Sequence, residues 1–211
     1  MNFVHSLRQT TNCLQSIVSS SQRATSSMLN MVKNNNKHIV WIDMEMTGLD
    51  LETCHILEIA CLITNKDLKI ISKDLNIVIH QPNEILENMN DWCVQNHEKT
   101  GLITESRLSK TTVQDAEQIV LKYLQSYIEE GTSPLAGSSV YMDRIFLSKY
   151  MPSVNNYLNY KIIDTTTLRE LILMWNLNVP ELKKMHCHRA LSDIKESIKQ
   201  LEHYKKYLFN L

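Results

Sequence analysis

Three apolar runs rich in β-branched residues lie close together: HIVWID (38–43), EIACLITN (58–65) and LNIVIH (75–80). Each has the length of a strand and is too short for a buried helix. Asn65–Asp67 supplies a turn between the second run and Leu68–Ser72. Strands in hairpin-like succession, with no helical pattern between them, predict an antiparallel half-sheet. A helical period then takes over from Thr111 to Glu130, where Val113, Ala116, Ile119, Val120, Tyr123, Leu124 and Tyr127 share one face. Thr112 is placed to cap that helix, with Asp115 and Glu117 near its positive dipole end, and the stretch from Gly131 to Pro134 breaks it. Pro134–Val140 and Tyr160–Ile163 read as short strands, each feeding a helix, and Thr166–Trp175 and Ala190–Phe209 read as closing helices. Strands first, then alternation, predicts an α/β fold with a mixed central sheet flanked by helices.

Charge divides the chain in two. Residues 1–37 hold Arg8, Arg23, Lys33 and Lys37 and no acid; the first carboxylate is Asp43. The remaining 18 Lys and Arg face all 23 Asp and Glu, so residues 38–211 carry a net −5. The leader is rich in Ser (6, 16, 19, 20, 21, 26, 27), and Phe3, Val4, Leu7, Leu14 and Ile17 suit one apolar stripe with Arg8 opposite. Arg present, Ser abundant and acid absent is the composition of a mitochondrial transit peptide, so a matrix location is expected. Met28 and Met31 offer later starts for a cytoplasmic form. The whole chain, at −1, is not a general polyanion binder. Cys13, Cys54, Cys61, Cys93 and Cys187 form no C-x-x-C pair, which excludes a zinc ribbon and argues for reduced intracellular thiols. Charges such as Glu58 interrupt the apolar runs, so no membrane span is expected.

Four carboxylates and one histidine carry the chemistry. Asp43 and Glu45 stand as D-x-E where the first strand ends, and residues i and i+2 of a strand point to one side. Two carboxylates on one face repel unless a cation lies between them, and oxygen donors select hard ions such as Mg²⁺ or Mn²⁺. Asp143 opens the helix that follows a strand, and its helix presents Phe146, Leu147 and Tyr150 as an apolar face. His188 and Asp193 lie five residues apart in HRALSDI, at the start of the last helix. A histidine there is half-exposed and suits general-base work. Each fragment alone reads as a surface acid or a helix cap.

Their order does not. D-x-E after the first strand, Asp after the middle strand and H-x4-D on the last long helix are the order of a DEDDh exonuclease. WIDMEMTGLD, ILEIACLIT, DWCVQNHEKTGL, PLAGSSVYMDRIFLSKYMP, YKIIDTTTLRELILMW and HRALSDIKESI together resemble the oligoribonuclease family, from about Ile39 to Phe209. The animal mitochondrial form is the nearest match in kind. The resemblance implies a ribonuclease H-like exonuclease fold, a homodimer and degradation of short RNA, dinucleotides above all, from the 3′ end. It implies that Asp43, Glu45, Asp143 and Asp193 hold two divalent cations, Mg²⁺ or Mn²⁺, and that His188 deprotonates the attacking water. Leu49 takes the position that wedges against the bases, Trp92 that of the aromatic near the 3′ base, and His97 lies in the same substrate-contacting segment. Ser139 and Thr166 match positions that close on the 5′ phosphate, and Tyr160 and Lys161 match residues reaching in from the partner protomer.

The chain departs from the family pattern at Ser138 (usually Asn), Ser192 (usually Asp), Tyr141, Met142 and Ile145, at Cys54–His55, and along 178–187. These touch substrate length preference and support around the ligands, not the reaction type. Three other readings compete: a DEDDh exonuclease acting on longer RNA or DNA, a nucleotide-binding or scaffold protein of the same fold without turnover, and a purely structural dimer in mitochondria.

Overall fold

The computed structural model describes residues 37–182 and 188–209. The leader expected over residues 1–37 therefore lies, all but Lys37, outside the described residues, as does Cys187. Five strands form one sheet in the order β3-β2-β1-β4-β5: β1 (His38–Met46), β2 (Ile56–Asn65), β3 (Leu75–Val78), β4 (Leu135–Gly137) and β5 (Ile162–Asp164). β1, β2 and β3 pair antiparallel, while β4 runs parallel to both β1 and β5, so the sheet is mixed as expected. After β2 and β3 are laid to one side of β1, the chain returns to β1's other side. Such a reversal of strand order leaves a crevice at the carboxyl ends of the strands, where α/β sheets place their ligands.

Eight helices are described: α1 (Asn83–Glu87), α2 (Asp91–Lys99), α3 (Leu102–Leu108), α4 (Val113–Gln125), α5 (Tyr141–Tyr150), α6 (Pro152–Tyr157), α7 (Thr165–Met174) and α8 (Ala190–Leu208). One face of the sheet meets α4 and α5: Val40, Ile42, Ile59, Cys61 and Ile63 pack with Ala116, Val120, Leu124, Phe146 and Leu147. The other face meets α8, where Trp41, Ala60 and Leu62 pack with Ala190, Ile194 and Ile198. Cover on both faces is why β2, Glu58 apart, is apolar at successive positions rather than alternating. Thr112 caps α4 through a reciprocal box with Asp115. No described helix is long and apolar enough to cross a membrane.

Several boundaries differ from the sequence expectation. β1 runs on to Met46 because Asp43, Met44 and Glu45 keep their ladder partners Ala60, Ile59 and Glu58. Leu68–Ser72 is no strand; it contributes only the bridge between Thr64 and Ile70. β4 is three residues long because the chain turns sharply at Ser138–Ser139, where Ser139 takes a left-handed φ of 54°. β5 begins at Ile162 rather than Tyr160, since its ladder with β4 starts at Leu135. α4 ends at Gln125, and Ile119 on its expected inner face is exposed. The short helices α1, α2, α3 and α6 leave no long period to read. The first three are held by tertiary contact, with Leu86, Cys93 and Leu102 packed around Leu57.

Candidate active site

Strand register builds the site. Side chains of β1 alternate between faces, so Asp43 and Glu45 share the face of Trp41, the one that α8 covers. Their antiparallel partners are Ala60 and Glu58, which puts Glu58 on that face too, directly opposite Glu45. α8 crosses there and delivers Asp193, so carboxylate oxygens of Asp43, Glu45 and Asp193 lie within 4.8 Å of one another. Asp143 comes from the first turn of α5 and is 5% exposed.

Charges this close oppose ionisation. Burial, then Asp143, Glu45 and Asp193, raise the Asp43 carboxyl well above the ordinary carboxylate range. Burial, then Asp193 and Glu58, push Glu45 up to about 8, while Arg189 pulls it down. Burial raises Asp143 as well, against the backbone N–H groups of Asp143 and Met44. A crowded, desolvated donor set of carboxylate oxygens alone fits a hard divalent cation, whose charge offsets the mutual repulsion.

Glycine shapes the rim. After β1 the chain turns at Gly48, where a Cβ would stand 2.7 Å from Cys54 Sγ and would have to displace that side chain. That turn presents Leu49 to solvent, 68% exposed. Across from it α2 starts at an Asn90 cap whose side chain accepts from Cys93 N at 2.9 Å. Trp92 stands on its first turn, 59% exposed, and its ring meets His188 edge-on at 5.6 Å. His188 precedes α8 with a left-handed φ of 49°. His97, on the same helix as Trp92, is 1% exposed. Its Nε2 lies 3.0 Å from the Met46 carbonyl and therefore donates to it. Its Nδ1 faces Glu45 Oε2 at 3.8 Å, and burial holds the ring's pKa below its usual value.

A second cluster lies where β4 and β5 hand over to α5 and α7. Thr166 Oγ1 is 3.0 Å from Ser138 Oγ, 3.2 Å from Ser139 Oγ, and accepts from Ser139 N at 3.0 Å. Asp164 caps α7 by accepting from Thr166 N, and the same oxygen accepts from Ser139 N, both at 2.9 Å. Tyr160 and Lys161 lie exposed just before edge strand β5, and Lys161 Nζ sits 5.8 Å from the Tyr160 ring centre. At the β4–β5 junction the Lys161 carbonyl accepts from Leu135 N. Among the departures, Ser138 uses its hydroxyl on Thr166, and Met142 packs against the core.

Sequence reasoning missed Glu58, Arg189 and Asp164. Glu58 had a signal, because a charge inside an otherwise apolar strand must find a partner. Asp164, before three threonines, had the signature of a helix cap.

Comparison with known proteins sets this geometry among enzymes. Residues 40–201 match the exonuclease family model RNase_T. The oligoribonuclease of Francisella tularensis subsp. tularensis (strain WY96-3418) is 43% identical over 174 residues, covering 82% of this chain and 97% of that protein. A probable oligoribonuclease of Dictyostelium discoideum is 44% identical over 179 residues, covering 85% and 94%. One from Drosophila melanogaster is 44% identical over 173 residues, covering 81% and 82%. Among solved structures, exonuclease I from Methylocaldum szegediense superposes with a TM-score of 0.62 at 13% identity, over 81% of this chain and 40% of that one. E. coli exonuclease I in complex with a dT13 oligonucleotide gives 0.64 at 14%, over 82% and 43%. The chain thus spans less than half the length of either exonuclease I. At such identity the likeness speaks for the fold, the ribonuclease H-like exonuclease fold.

Proposed function

Because the chain belongs to the oligoribonuclease family and is a 3′–5′ exoribonuclease, we propose that it hydrolyses very short oligoribonucleotides, dinucleotides above all, to 5′-mononucleotides. The observation that carries this reading is the convergence of Asp43, Glu45 and Asp193 within 4.8 Å, with Asp143 buried beside them. These four carboxylates would hold two divalent cations, Mg²⁺ or Mn²⁺. When bound, such ions supply Lewis acidity to both the attacking and the leaving oxygen of an in-line displacement. His188 takes the proton of the attacking water, a task an imidazole suits near neutral pH.

Leu49 and Trp92 hold the bases by apolar contact and stacking, which tolerates any sequence. His97 belongs to the same substrate-contacting segment, and its bond to Met46 seats that helix on β1. Ser139 and Thr166 close on the 5′ phosphate. The net-acidic body is compatible with this substrate, since a dinucleotide has few phosphates to neutralise. Tyr160 and Lys161 would reach the site of a partner protomer in a homodimer. Exposed Tyr160, Ile162, Met174 and Trp175 along β5 and α7 support that association, which light scattering tests. Residues 1–37 form a separate leader that directs residues 38–211, the exonuclease domain, to mitochondria, on the strength of its composition alone. A fluorescent fusion of that leader tests it.

Turnover of a 5′-phosphorylated RNA dinucleotide against a 20-mer, with Mn²⁺, Mg²⁺ or EDTA, tests the activity. Metal-dependent release of mononucleotides, fastest from the dinucleotide, is expected. A preference for the 20-mer would make the protein a general exonuclease with the same centre. No turnover by folded protein would overturn the reading.

A further inference from the structure

Glu58 is wholly buried near the start of β2, and four donors converge on it. Arg189 donates from Nε at 3.1 Å and Nη2 at 2.8 Å, Ala190 N at 3.0 Å and Asn76 Nδ2 at 2.8 Å. The same guanidinium reaches Glu105 of α3, from Nη1 at 3.1 Å and Nη2 at 2.8 Å. One planar group thus ties together β2, α3 and the start of α8. A fork of fixed donors suits two carboxylates at once, which an ammonium does not.

The place of this knot matters more than its strength. Glu58 is the cross-strand partner of Glu45, and two carboxylates in that relation repel unless a cation intervenes. Arg189 is that cation, fixed within the protein by its ion pairs to Glu58 and Glu105. Arg189 is also the residue after His188, whose left-handed backbone persists only where its surroundings hold it. Downstream, Asp193 N donates to the Arg189 carbonyl at 3.1 Å, within the turn that sets Asp193 over β1.

We propose that the Glu58–Arg189 pair is a latch that fixes His188 and Asp193 over the strand carboxylates, with Glu105 as its outer arm. Arg189 is a positioning residue: it acts through its two neighbours and touches no substrate. The proposal rests on the reading of His188 as base.

The test compares the full chain with Arg189→Lys and with the double variant Glu58→Gln/Arg189→Gln. The double variant leaves no buried charge unpartnered, so it folds where Arg189→Gln alone is at risk. Turnover of the 5′-phosphorylated RNA dinucleotide with Mn²⁺ gives kcat and KM. Proton NMR reads, without turnover, the ring-current shift that Trp92 imposes on His188. In the double variant kcat is expected to fall about 10²-fold, the scale of an ångström-sized misplacement. KM should change little, and the His188 shift should disappear. Arg189→Lys, keeping the charge without the fork, should recover part of both. An unchanged kcat or an unchanged His188 shift in the folded double variant overturns the latch. If the wild-type chain were inert on RNA, the proposed function would fall, and the shift alone would decide the latch.

Discussion

Trp92 and His188 meet edge to face, with ring centroids 5.6 Å apart and planes at 85°. An exposed indole on α2 thereby borders the residue that opens onto α8, so a base stacked on Trp92 would lie beside the imidazole. Trp92→Ala should raise KM for an RNA dinucleotide about tenfold, the worth of one base–aromatic stack. Trp92→Phe should keep most of the affinity. Steady-state kinetics on both variants decide this; an unchanged KM in Trp92→Ala removes Trp92 from the substrate.

Stability should depend on pH in opposite ways with and without metal. Glu45 sits at about 8 in the fold against an ordinary 4.5, so the folded state binds its proton more tightly. The stability it contributes is full below about pH 4.5 and is lost as pH rises through about 8. Asp43 and Asp143, also raised, act in the same direction. His97, held low by burial, opposes them by favouring the fold as pH rises. A divalent cation held by these carboxylates would favour their ionised form. The rise in Tm from EDTA to Mn²⁺ should therefore be larger at pH 8 than at pH 5.5, and equal rises would contradict the assignment.

Asp143→Asn should separate stability from activity. Removing one buried like charge should raise the Tm of the metal-free protein, because after burial itself Asp143 does most to raise the Asp43 carboxyl. The same change should lower kcat about 10³-fold, the effect of losing several kcal/mol of charge stabilisation. Calorimetry in EDTA and turnover in Mn²⁺ read the two effects. A variant that keeps its activity would disprove the place of Asp143 in the site.

Thr166→Val removes the hydroxyl on which Ser138 and Ser139 converge. If that cluster receives the 5′ phosphate, the preference for dinucleotide over 20-mer should shrink about tenfold, the scale of one hydrogen bond to a charged group. Turnover of the 20-mer should change less. Equal losses on both substrates would mean that the cluster supports the fold alone.

Thr112→Ala supplies a control remote from the chemistry. Loss of the box in which Asp115 N donates to Thr112 Oγ1 at 3.1 Å should cost about 1 kcal/mol of stability. Denaturant melts should record the loss, while kcat on the dinucleotide stays at the wild-type value.

Local pattern made much of this legible, and long-range pairing hid the rest. The apolar runs at 38–43, 58–65 and 75–80 and the cap at Thr112 are written in neighbouring residues, and the structure follows them. Asp43 and Glu45 on one face follow from strand period alone. That Glu58 stands opposite Glu45 depends on register, 13 positions away along the chain, and a single strand does not encode its register. Arg189 lies 131 residues from Glu58, so no local pattern could join them. The short helices around Trp92 and His97 were unreadable for a similar reason: few turns leave little period, and Leu57 of a distant strand supplies their core.

The Thr166 hydroxyl has one proton to give and two lone pairs, and Ser138 Oγ, Ser139 Oγ and Ser139 N already occupy all three. Any ligand oxygen that engages it must displace one of those partners. If a 5′ phosphate binds there, its recognition is an exchange, in which a released serine hydroxyl turns to the same newcomer. Its enthalpy is a small difference between bonds of similar strength, and discrimination rests on how many hydroxyls one ligand can turn at once.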